Sequence, residues 1–114
     1  MAVNSKTQMK RYWIYMLECC NGSLYTGITH NLPQRFKMHQ AGKGAKYTRM
    51  YPPKRIAQSW KIPGGRSQAL KLEAFIKRMT RSEKWALIRS PHKLHMTILH
   101  VIFIVFTTIM ANNL

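Results

Sequence analysis

Two short apolar runs on either side of an Asn-Gly pair constrain the fold of this chain more than any other feature of its sequence. The runs occupy residues 12–19 and 23–29, and Cys20-Asn21-Gly22 lies between them. Asn-Gly between apolar runs is typical of the tight turn of a β-hairpin. The sequence therefore predicts two antiparallel strands that form such a hairpin.

The length of the turn decides where the two tyrosines of the hairpin point. A two-residue loop, Asn21-Gly22, would place Tyr15 and Tyr25 on opposite faces of the sheet, because successive strand residues point to opposite sides. A three-residue loop with Gly22 left-handed pairs Leu17 with Tyr25 and puts both tyrosines on one face. A site that uses both phenols requires the three-residue loop, and we predict that register.

The segment after the hairpin predicts a first helix over residues 31–41. Asn31 is suited to cap its N-terminus, and Gly42 is suited to end it. Arg35 and His39 lie four residues apart, so this helix carries them on one face. An arginine and a histidine beside two tyrosines suit a phosphodiester better than a hydrophobic core.

The second half of the chain predicts a third strand and two more helices. Residues 54–60 alternate loosely between polar and apolar types and suit a strand. Apolar residues at helical spacing predict a second helix over Ser67–Met79. Thr80 and Glu83 have the spacing of a capping box, which predicts a third helix from Thr80 to Arg89.

The charge of the chain indicates a polyanionic partner. Its 114 residues include 19 Lys and Arg against 3 Asp and Glu, a formal net charge of +16. A chain this basic repels itself unless it neutralises a polyanion. The basic residues are spread through the whole chain instead of forming one juxtamembrane cluster, which favours nucleic acid over an anionic membrane.

A basic segment follows the first predicted helix and is expected to be a flexible loop. Residues 42–49 carry Lys43, Lys46 and Arg49, with Tyr47 among them. Basic residues interleaved with an aromatic suit a nucleic-acid backbone with an unstacked base nearby. We predict that these four residues bind nucleic acid, and a merely solvated basic loop is the alternative.

The beginning of the chain and its cysteines indicate a reducing, cytoplasmic compartment. Residues 1–11 are polar and predicted to form a loose arm, without the apolar run of a secretory signal. The only cysteines are the neighbours Cys19 and Cys20, which point to opposite faces of a strand. They therefore suit neither a disulfide framework nor a metal site.

The apolar segment near the end of the chain has no assigned role. Residues 96–110 contain no Asp, Glu, Lys or Arg. As a helix they would span roughly 22 Å, which is shorter than the roughly 30 Å hydrocarbon core of a membrane. A core element, a membrane-associated tail and a segment not under functional selection all stay open, with membrane association not favoured. The predicted domain spans 12–90, and residues 91–114 form a tail.

Six residues in a fixed order resemble the pattern of a known nuclease family. Trp13-Ile14-Tyr15 and Tyr25-Thr26-Gly27 form two motifs, and Arg35, His39 and Glu73 follow them. This order resembles the GIY-YIG nuclease superfamily and, within it, the small stand-alone YhbQ-like (UPF0213) bacterial proteins. The first motif has Trp13 where the family has glycine, and the second has Thr26 where it has an aliphatic residue.

The resemblance implies an α+β fold with a three-stranded antiparallel sheet flanked by helices. It also implies a metal-dependent endonuclease that cleaves phosphodiester bonds in nucleic acid, with DNA favoured over RNA, and that uses one Mg²⁺ or Mn²⁺ ion. In that activity Glu73 would hold the cation and Arg35 would contact the scissile phosphate. Tyr25 or His39 would serve as general base, and Tyr15 would orient the water. A catalytically silent DNA- or RNA-binding module of the same fold is the alternative.

Glu73 also has an ordinary structural explanation that the sequence leaves open. Lys77 lies four residues after it on the second predicted helix. Oppositely charged residues at that spacing form ion pairs on helix surfaces. A lone glutamate can nevertheless suffice for Mg²⁺, because this ion fills the rest of its coordination shell with water and substrate phosphate.

Overall fold

The computed structural model describes residues 11–95 and 107–113, and it places three antiparallel strands in the order β2-β1-β3. The predicted α+β fold is confirmed, with helices on both faces of the sheet. The elements in chain order are β1 (Tyr12–Cys19), β2 (Leu24–Thr29), α1 (Leu32–Gln40), α2 (Lys46–Met50), β3 (Pro53–Ile62), α3 (Arg66–Lys77) and α4 (Arg81–Arg89).

The hairpin adopts the three-residue turn that the sequence predicts. Leu17 pairs with Tyr25, and the Cys19 amide donates a 2.9 Å hydrogen bond to the Ser23 carbonyl. Gly22 has a φ of 81°, a left-handed conformation in which a residue with a Cβ would be strained. The predicted register is therefore confirmed, and both hairpin tyrosines point to the same face of the sheet.

Strand β1 is central, and helices cover both of its faces. Ile14 and Met16 point towards α3 and α4, whereas Tyr15 and Leu17 point towards α1 and α2, and all four are at most 1% exposed. Burial on both faces explains why the run is continuously apolar instead of alternating. The main core cluster consists of Ile14, Met16, Trp60, Ile62, Leu72, Ile76, Leu87 and Leu94.

The predicted helix ends are correct to within one or two residues, because local capping signals fix most of them. The Asn31 side chain accepts a 3.3 Å hydrogen bond from the Gln34 amide at the start of α1. Thr80 and Glu83 form both hydrogen bonds of the predicted capping box at the start of α4. Strand β3 is two residues longer than predicted at its end, since Ile62 still pairs with Tyr12 and is buried.

The predicted flexible loop over residues 42–49 is wrong in its second half. The chain forms the short helix α2 over Lys46–Met50, and Thr48 is fully buried within it. A five-residue helix is too short to show helical periodicity in the sequence. Contacts with distant residues therefore determine it, as the site geometry below explains.

The chain packs against the core beyond position 90, where the sequence predicts the domain to end. The Trp60 indole N–H donates a 2.8 Å hydrogen bond to the Pro91 carbonyl, and Leu94 is 1% exposed within the core cluster. Residues 1–10, most of the predicted arm, lie outside the described residues, and so do residues 96–106 of the apolar segment. In the part of the chain that is described, no helix has the length and apolar character needed to cross a membrane.

Candidate active site

The hairpin register places the phenol rings of Tyr15 and Tyr25 side by side. Their ring centroids lie 6.4 Å apart. Tyr15 pairs with Gly27 across the two strands, and a Cβ atom on that glycine would lie 2.6 Å from Cζ of the Tyr15 ring. The Tyr15 side chain therefore lies across the backbone of Gly27, which explains in physical terms why this position has no side chain. Tyr15 is almost fully buried, whereas Tyr25 is half-buried.

Helix α1 places His39 edge-on against both phenols. The His39 ring centroid lies 5.8 Å from that of Tyr15 and 5.3 Å from that of Tyr25. Its side chain is 0% exposed, and both ring nitrogens are hydrogen-bonded. Nε2 lies 2.8 Å from the Tyr15 hydroxyl, and Nδ1 lies 2.6 Å from the Thr48 hydroxyl.

The surroundings of His39 keep its imidazole neutral. Burial, with a smaller effect of the Arg35 charge, lowers the pKa of His39 from 6.5 to about 4. A neutral ring has one N–H donor and one bare nitrogen. His39 therefore reaches the open side of the site through Tyr15, since no part of its own ring faces solvent.

Two opposite charges act on the same pair of phenols. Burial raises the pKa of Tyr15 to about 12, with Arg35 lowering it and the Tyr25 and Glu73 charges raising it further. Burial also raises the pKa of Tyr25, again with Arg35 opposing and Glu73 adding to the effect. Arg35 and Glu73 therefore both affect the pKa of the two phenols, although α1 contacts Tyr15 on one face of the sheet and α3 packs on the other face.

Glu73 occupies the edge of the buried stripe of α3. It lies four residues after buried Ala69 and three before buried Ile76, and its side chain is 17% exposed. Lys77 Nζ lies 3.8 Å from Glu73 Oε1, so the ion pair that the sequence left open is present, at a long distance. The carboxylate thus has a lysine partner on one side and the two phenols on the other.

The donor set at Glu73 is compatible with a hydrated divalent cation. Within residues 11–95 and 107–113, no group of three or more His, Cys, Asp or Glu side chains is placed to hold a metal. A cation held at Glu73 would have that carboxylate as its protein ligand and would fill its other positions with water. Mg²⁺ binds in this way, whereas Zn²⁺ sites need three or four protein ligands.

The basic segment forms one wall of the site, and three of its four predicted binding residues are exposed charges. Lys43, Lys46 and Arg49 all face solvent. Tyr47 is held more firmly, because its hydroxyl donates a 2.6 Å hydrogen bond to Ser23 Oγ in the hairpin turn. Its ring also stacks on Tyr25 with an interplanar angle of 14°, so one of its faces is turned away from any incoming base.

Two residues of this wall, Thr48 and Gly44, are not predicted from the sequence. Thr48 is fully buried against His39, and its hydroxyl also lies 3.0 Å from the Ala45 carbonyl oxygen. Gly44 lies against the histidine ring, because a Cβ atom there would be 2.8 Å from Cγ of His39. The alternation of glycine and lysine in this segment is typical of a flexible loop. No local signal in the sequence shows that Gly44 instead lies against a side chain.

Comparison with known proteins identifies a family for this chain. The GIY-YIG catalytic domain family matches residues 11–86. A UPF0213 protein of Cupriavidus pinatubonensis is 48% identical over 77 residues, which cover 68% of this chain and 84% of the relative. A UPF0213 protein of Streptococcus sanguinis is 46% identical over 77 residues, which cover 68% of this chain and 87% of the relative.

A solved structure has the same fold. The solution NMR structure of the protein EF2693 from E. faecalis superposes with a TM-score of 0.52 at 35% identity, covering 75% of this chain and 90% of that one. The region that matches the GIY-YIG catalytic domain family, residues 11–86, contains both hairpin tyrosines and extends through α3. The chain therefore belongs to the GIY-YIG family, in its UPF0213 branch, and residues 11–86 form a nuclease-like GIY-YIG domain.

Proposed function

We propose that this protein is a metal-dependent phosphodiester hydrolase that acts on DNA. The observation that carries the proposal is that one arginine and one glutamate act on the same two phenols. Phosphodiester hydrolysis needs a cationic group on the phosphate, an anchor for a metal ion and a group that accepts a proton. Arg35, Glu73 and Tyr25 are the residues of this chain that supply those three functions.

Arg35 is the proposed phosphate ligand. Its planar guanidinium can donate to two phosphate oxygens at once and stays charged at any working pH. It is partly exposed on α1, and Lys43, Lys46 and Arg49 are exposed on the segment that follows this helix. These cations can bind neighbouring phosphates of the DNA strand. Such contacts position the substrate but do not depend on its base sequence.

Glu73 is the proposed metal ligand, and Mg²⁺ or Mn²⁺ is the proposed cation. When bound, such an ion polarises a phosphate oxygen and neutralises the charge that develops during cleavage. The Glu73 carboxylate suits this role because it is partly exposed and faces the phenols as well as Lys77.

Tyr25 is the proposed general base, in its phenolate form. It is the more exposed of the two phenols. Burial raises its pKa and the Arg35 charge opposes that rise, so a bound divalent cation would supply the further lowering that a phenolate needs. The oxygen of the attacking water bonds to phosphorus while its proton passes to Tyr25. The bond from phosphorus to the departing sugar oxygen breaks, and that oxygen takes a proton from solvent.

Tyr15 and His39 receive supporting roles in this proposal. From the sequence, Tyr15 is expected to orient the water, and either Tyr25 or His39 is expected to act as the base. Because Tyr15 is 1% exposed and His39 is 0% exposed, we assign both residues to positioning. They hold the guanidinium and the wall formed by α2 in place.

A cleavage assay with a matched pair of variants tests the proposed function. Duplex, single-stranded, flap and branched DNA are incubated with the protein and Mg²⁺ or Mn²⁺. We expect Glu73→Gln to abolish cleavage while leaving DNA affinity within about twofold, because it removes the metal ligand without removing a cation. Glu18→Gln is the control, since it makes the same charge change at an exposed ion pair with Arg55, outside the site.

Two results would overturn parts of the proposal. Cleavage that persists in Glu73→Gln and in excess EDTA would exclude the metal role of this residue. Wild-type protein that binds all four DNA forms and cleaves none of them would identify a silent binding module instead. RNA of matched sequence, tested in parallel, decides whether the substrate is DNA.

A further inference from the structure

We propose that Thr48 is a positioning residue for catalysis, which acts through His39 and Tyr15 on Arg35. Its hydroxyl fixes the direction of a chain of hydrogen bonds, and this direction keeps the Tyr15 oxygen as an acceptor for the arginine. The role of these hydrogen bonds in cleavage rests on the proposed function. Their direction, in contrast, can be measured without any substrate. The direction of each hydrogen bond depends on which of its two atoms carries the hydrogen.

The chain begins at a backbone carbonyl. Thr48 Oγ1 lies 3.0 Å from the Ala45 carbonyl oxygen, with the geometry of a hydrogen bond. A carbonyl oxygen has no hydrogen to give, so the hydrogen between the two oxygens belongs to Thr48. Threonine commonly donates in this way to a carbonyl three or four residues earlier. The proposed direction places the only hydroxyl hydrogen of Thr48 in this bond, to a carbonyl that also accepts the Arg49 amide hydrogen.

The next step fixes the tautomer of His39. Nδ1 of His39 lies 2.6 Å from Thr48 Oγ1, whose hydrogen is already used. The hydrogen in this second bond must come from the ring, so Nδ1 carries it. Because the buried ring is neutral, Nε2 is bare and can only accept.

The last step fixes the hydroxyl of Tyr15. Its oxygen lies 2.8 Å from the bare Nε2 of His39, so Tyr15 donates its hydrogen to the ring. The phenol oxygen then has only lone pairs for its remaining neighbours. Arg35, whose guanidinium interacts with this oxygen, has only donors. The two groups are therefore complementary, and the guanidinium gains a fixed acceptor on the buried side of the site.

The reverse direction of the chain would disturb the arginine. If His39 carried its hydrogen on Nε2, the Tyr15 hydroxyl would receive that hydrogen and would have to turn its own hydrogen elsewhere. One direction open to it is towards the guanidinium, where two donors would face each other. The Thr48 hydroxyl prevents this reversal. Gly44 leaves room for the His39 ring beside this hydroxyl, because it has no side chain.

The experiment compares Thr48→Val with Thr48→Ser by NMR and by kinetics. Nitrogen-15 shifts of the histidine ring are measured in the whole protein at pH 7, with His39 assigned from the spectrum of His39→Gln. We expect wild type and Thr48→Ser to have the proton on Nδ1. Thr48→Val, which is similar in size but lacks the hydroxyl, should move it to Nε2 or mix the two forms.

In the cleavage assay, Thr48→Val should lower kcat by about 10-fold to 100-fold through misplacement of Arg35. KM for DNA should stay within about threefold, because other phosphate contacts also hold the substrate. Thr48→Ser should restore most of kcat, as a purely space-filling role would not require. Thr26→Val is the matched control, since Thr26 is also buried but lies on the other face of the sheet.

The outcomes separate this inference from the proposed function. A wild-type His39 protonated on Nε2 would overturn the chain of hydrogen bonds, whether or not the protein cleaves DNA and whether or not Thr48→Val folds. Unchanged kcat in Thr48→Val would overturn its role in catalysis. Absence of cleavage by wild type would overturn the proposed function and, with it, the catalytic role, but would leave the measured direction standing.

Discussion

At the scale of single residues, Thr26 and Thr48 are buried to a similar extent but use their hydroxyls differently. Thr26 is 3% exposed, and its Oγ1 has no hydrogen-bond partner among the described residues. Thr48 is 0% exposed and bonds to both His39 and Ala45. A buried hydroxyl without a partner costs free energy, whereas removing a bonded one leaves its partner unsatisfied.

The same substitution should therefore have opposite effects at the two threonines. We expect Thr26→Val to raise the free energy of unfolding by up to about 1 kcal/mol. Thr48→Val should lower it by about 1–3 kcal/mol, because the Nδ1 hydrogen of His39 loses its acceptor. Urea denaturation followed by circular dichroism measures both values. A loss of stability in Thr26→Val would show that its hydroxyl does have a partner.

His39 should make the stability of the protein depend on pH below neutrality. Its pKa is lowered from 6.5 to about 4, so between these values the unfolded chain binds a proton that the folded ring does not. The stabilisation is therefore complete above pH 6.5 and is lost as the pH falls towards 4. We expect about 2 kcal/mol to be lost between pH 7 and pH 5.

The control for this pH effect is His39→Gln, which keeps every other titrating group. Urea denaturation of both proteins at pH 7 and pH 5 gives the four free energies of unfolding. The variant should lose less stability than wild type over this interval, whatever its absolute stability is. Equal losses in the two proteins would contradict the burial of a neutral imidazole at this position.

At the scale of elements, α2 is a five-residue helix that distant contacts hold in place. A helix of this length does not form by itself in water. One end is tied to the hairpin turn by the Tyr47 hydroxyl, which bonds to Ser23 Oγ and to the Asn21 side chain. Its interior is tied to α1 through Thr48 and His39. Loss of either hydrogen bond should therefore destabilise α2 more than it destabilises the sheet.

Tyr47→Phe should therefore open α2 locally. Removing the hydroxyl should cost about 1 kcal/mol of local stability, which corresponds to about fivefold faster exchange of the backbone amides of α2. The reporters are the amide hydrogens of Arg49 and Tyr51, which bond to carbonyls one turn earlier. Tyr51→Phe is the control. Equal exchange rates in the two variants would show that the Tyr47 hydroxyl does not anchor the helix.

The contrast between the hairpin and α2 shows which elements the sequence can predict. Gly22 sets the hairpin turn and Thr80 with Glu83 starts α4, and both signals act within a few residues of the chain. Helix α2 depends instead on contacts such as Tyr47 with Ser23, which are 24 residues apart. Such contacts exist only after the sheet and α1 have formed, so no local pattern predicts them.

The candidate site divides in the same way. Five residues of the site can be identified because their order in the sequence resembles a family pattern. They are Tyr15, Tyr25, Arg35, His39 and Glu73. The contact between His39 and Thr48 follows from burial of the ring, because a buried imidazole nitrogen needs a partner. The sequence shows that a threonine is present nearby but not that its hydroxyl faces inwards.

At the scale of the whole molecule, the net charge of +16 exceeds what the site alone requires. Lys43, Lys46 and Arg49 are exposed on the side of the sheet that carries the site. Other exposed cations lie on α3 and α4, which cover the opposite face, and Arg66, Lys71 and Arg89 are examples. Long-range attraction acts through all of these charges, whereas only cations that touch phosphates release counterions on binding.

The salt dependence of DNA binding should therefore distinguish the two sets of cations. We expect replacement of Lys43, Lys46 and Arg49 by Gln to reduce the slope of log Kobs against log salt concentration by about 3, about 1 for each lost phosphate contact. Replacing Arg66, Lys71 and Arg89 by Gln makes the same change in net charge and should leave this slope nearly unaltered. Fluorescence anisotropy with a labelled duplex, measured from 50 to 200 mM salt without divalent cations, provides both slopes. Equal reductions in the two triple variants would mean that DNA contacts the molecule on both faces, and α2 would then not be the preferred phosphate-binding wall.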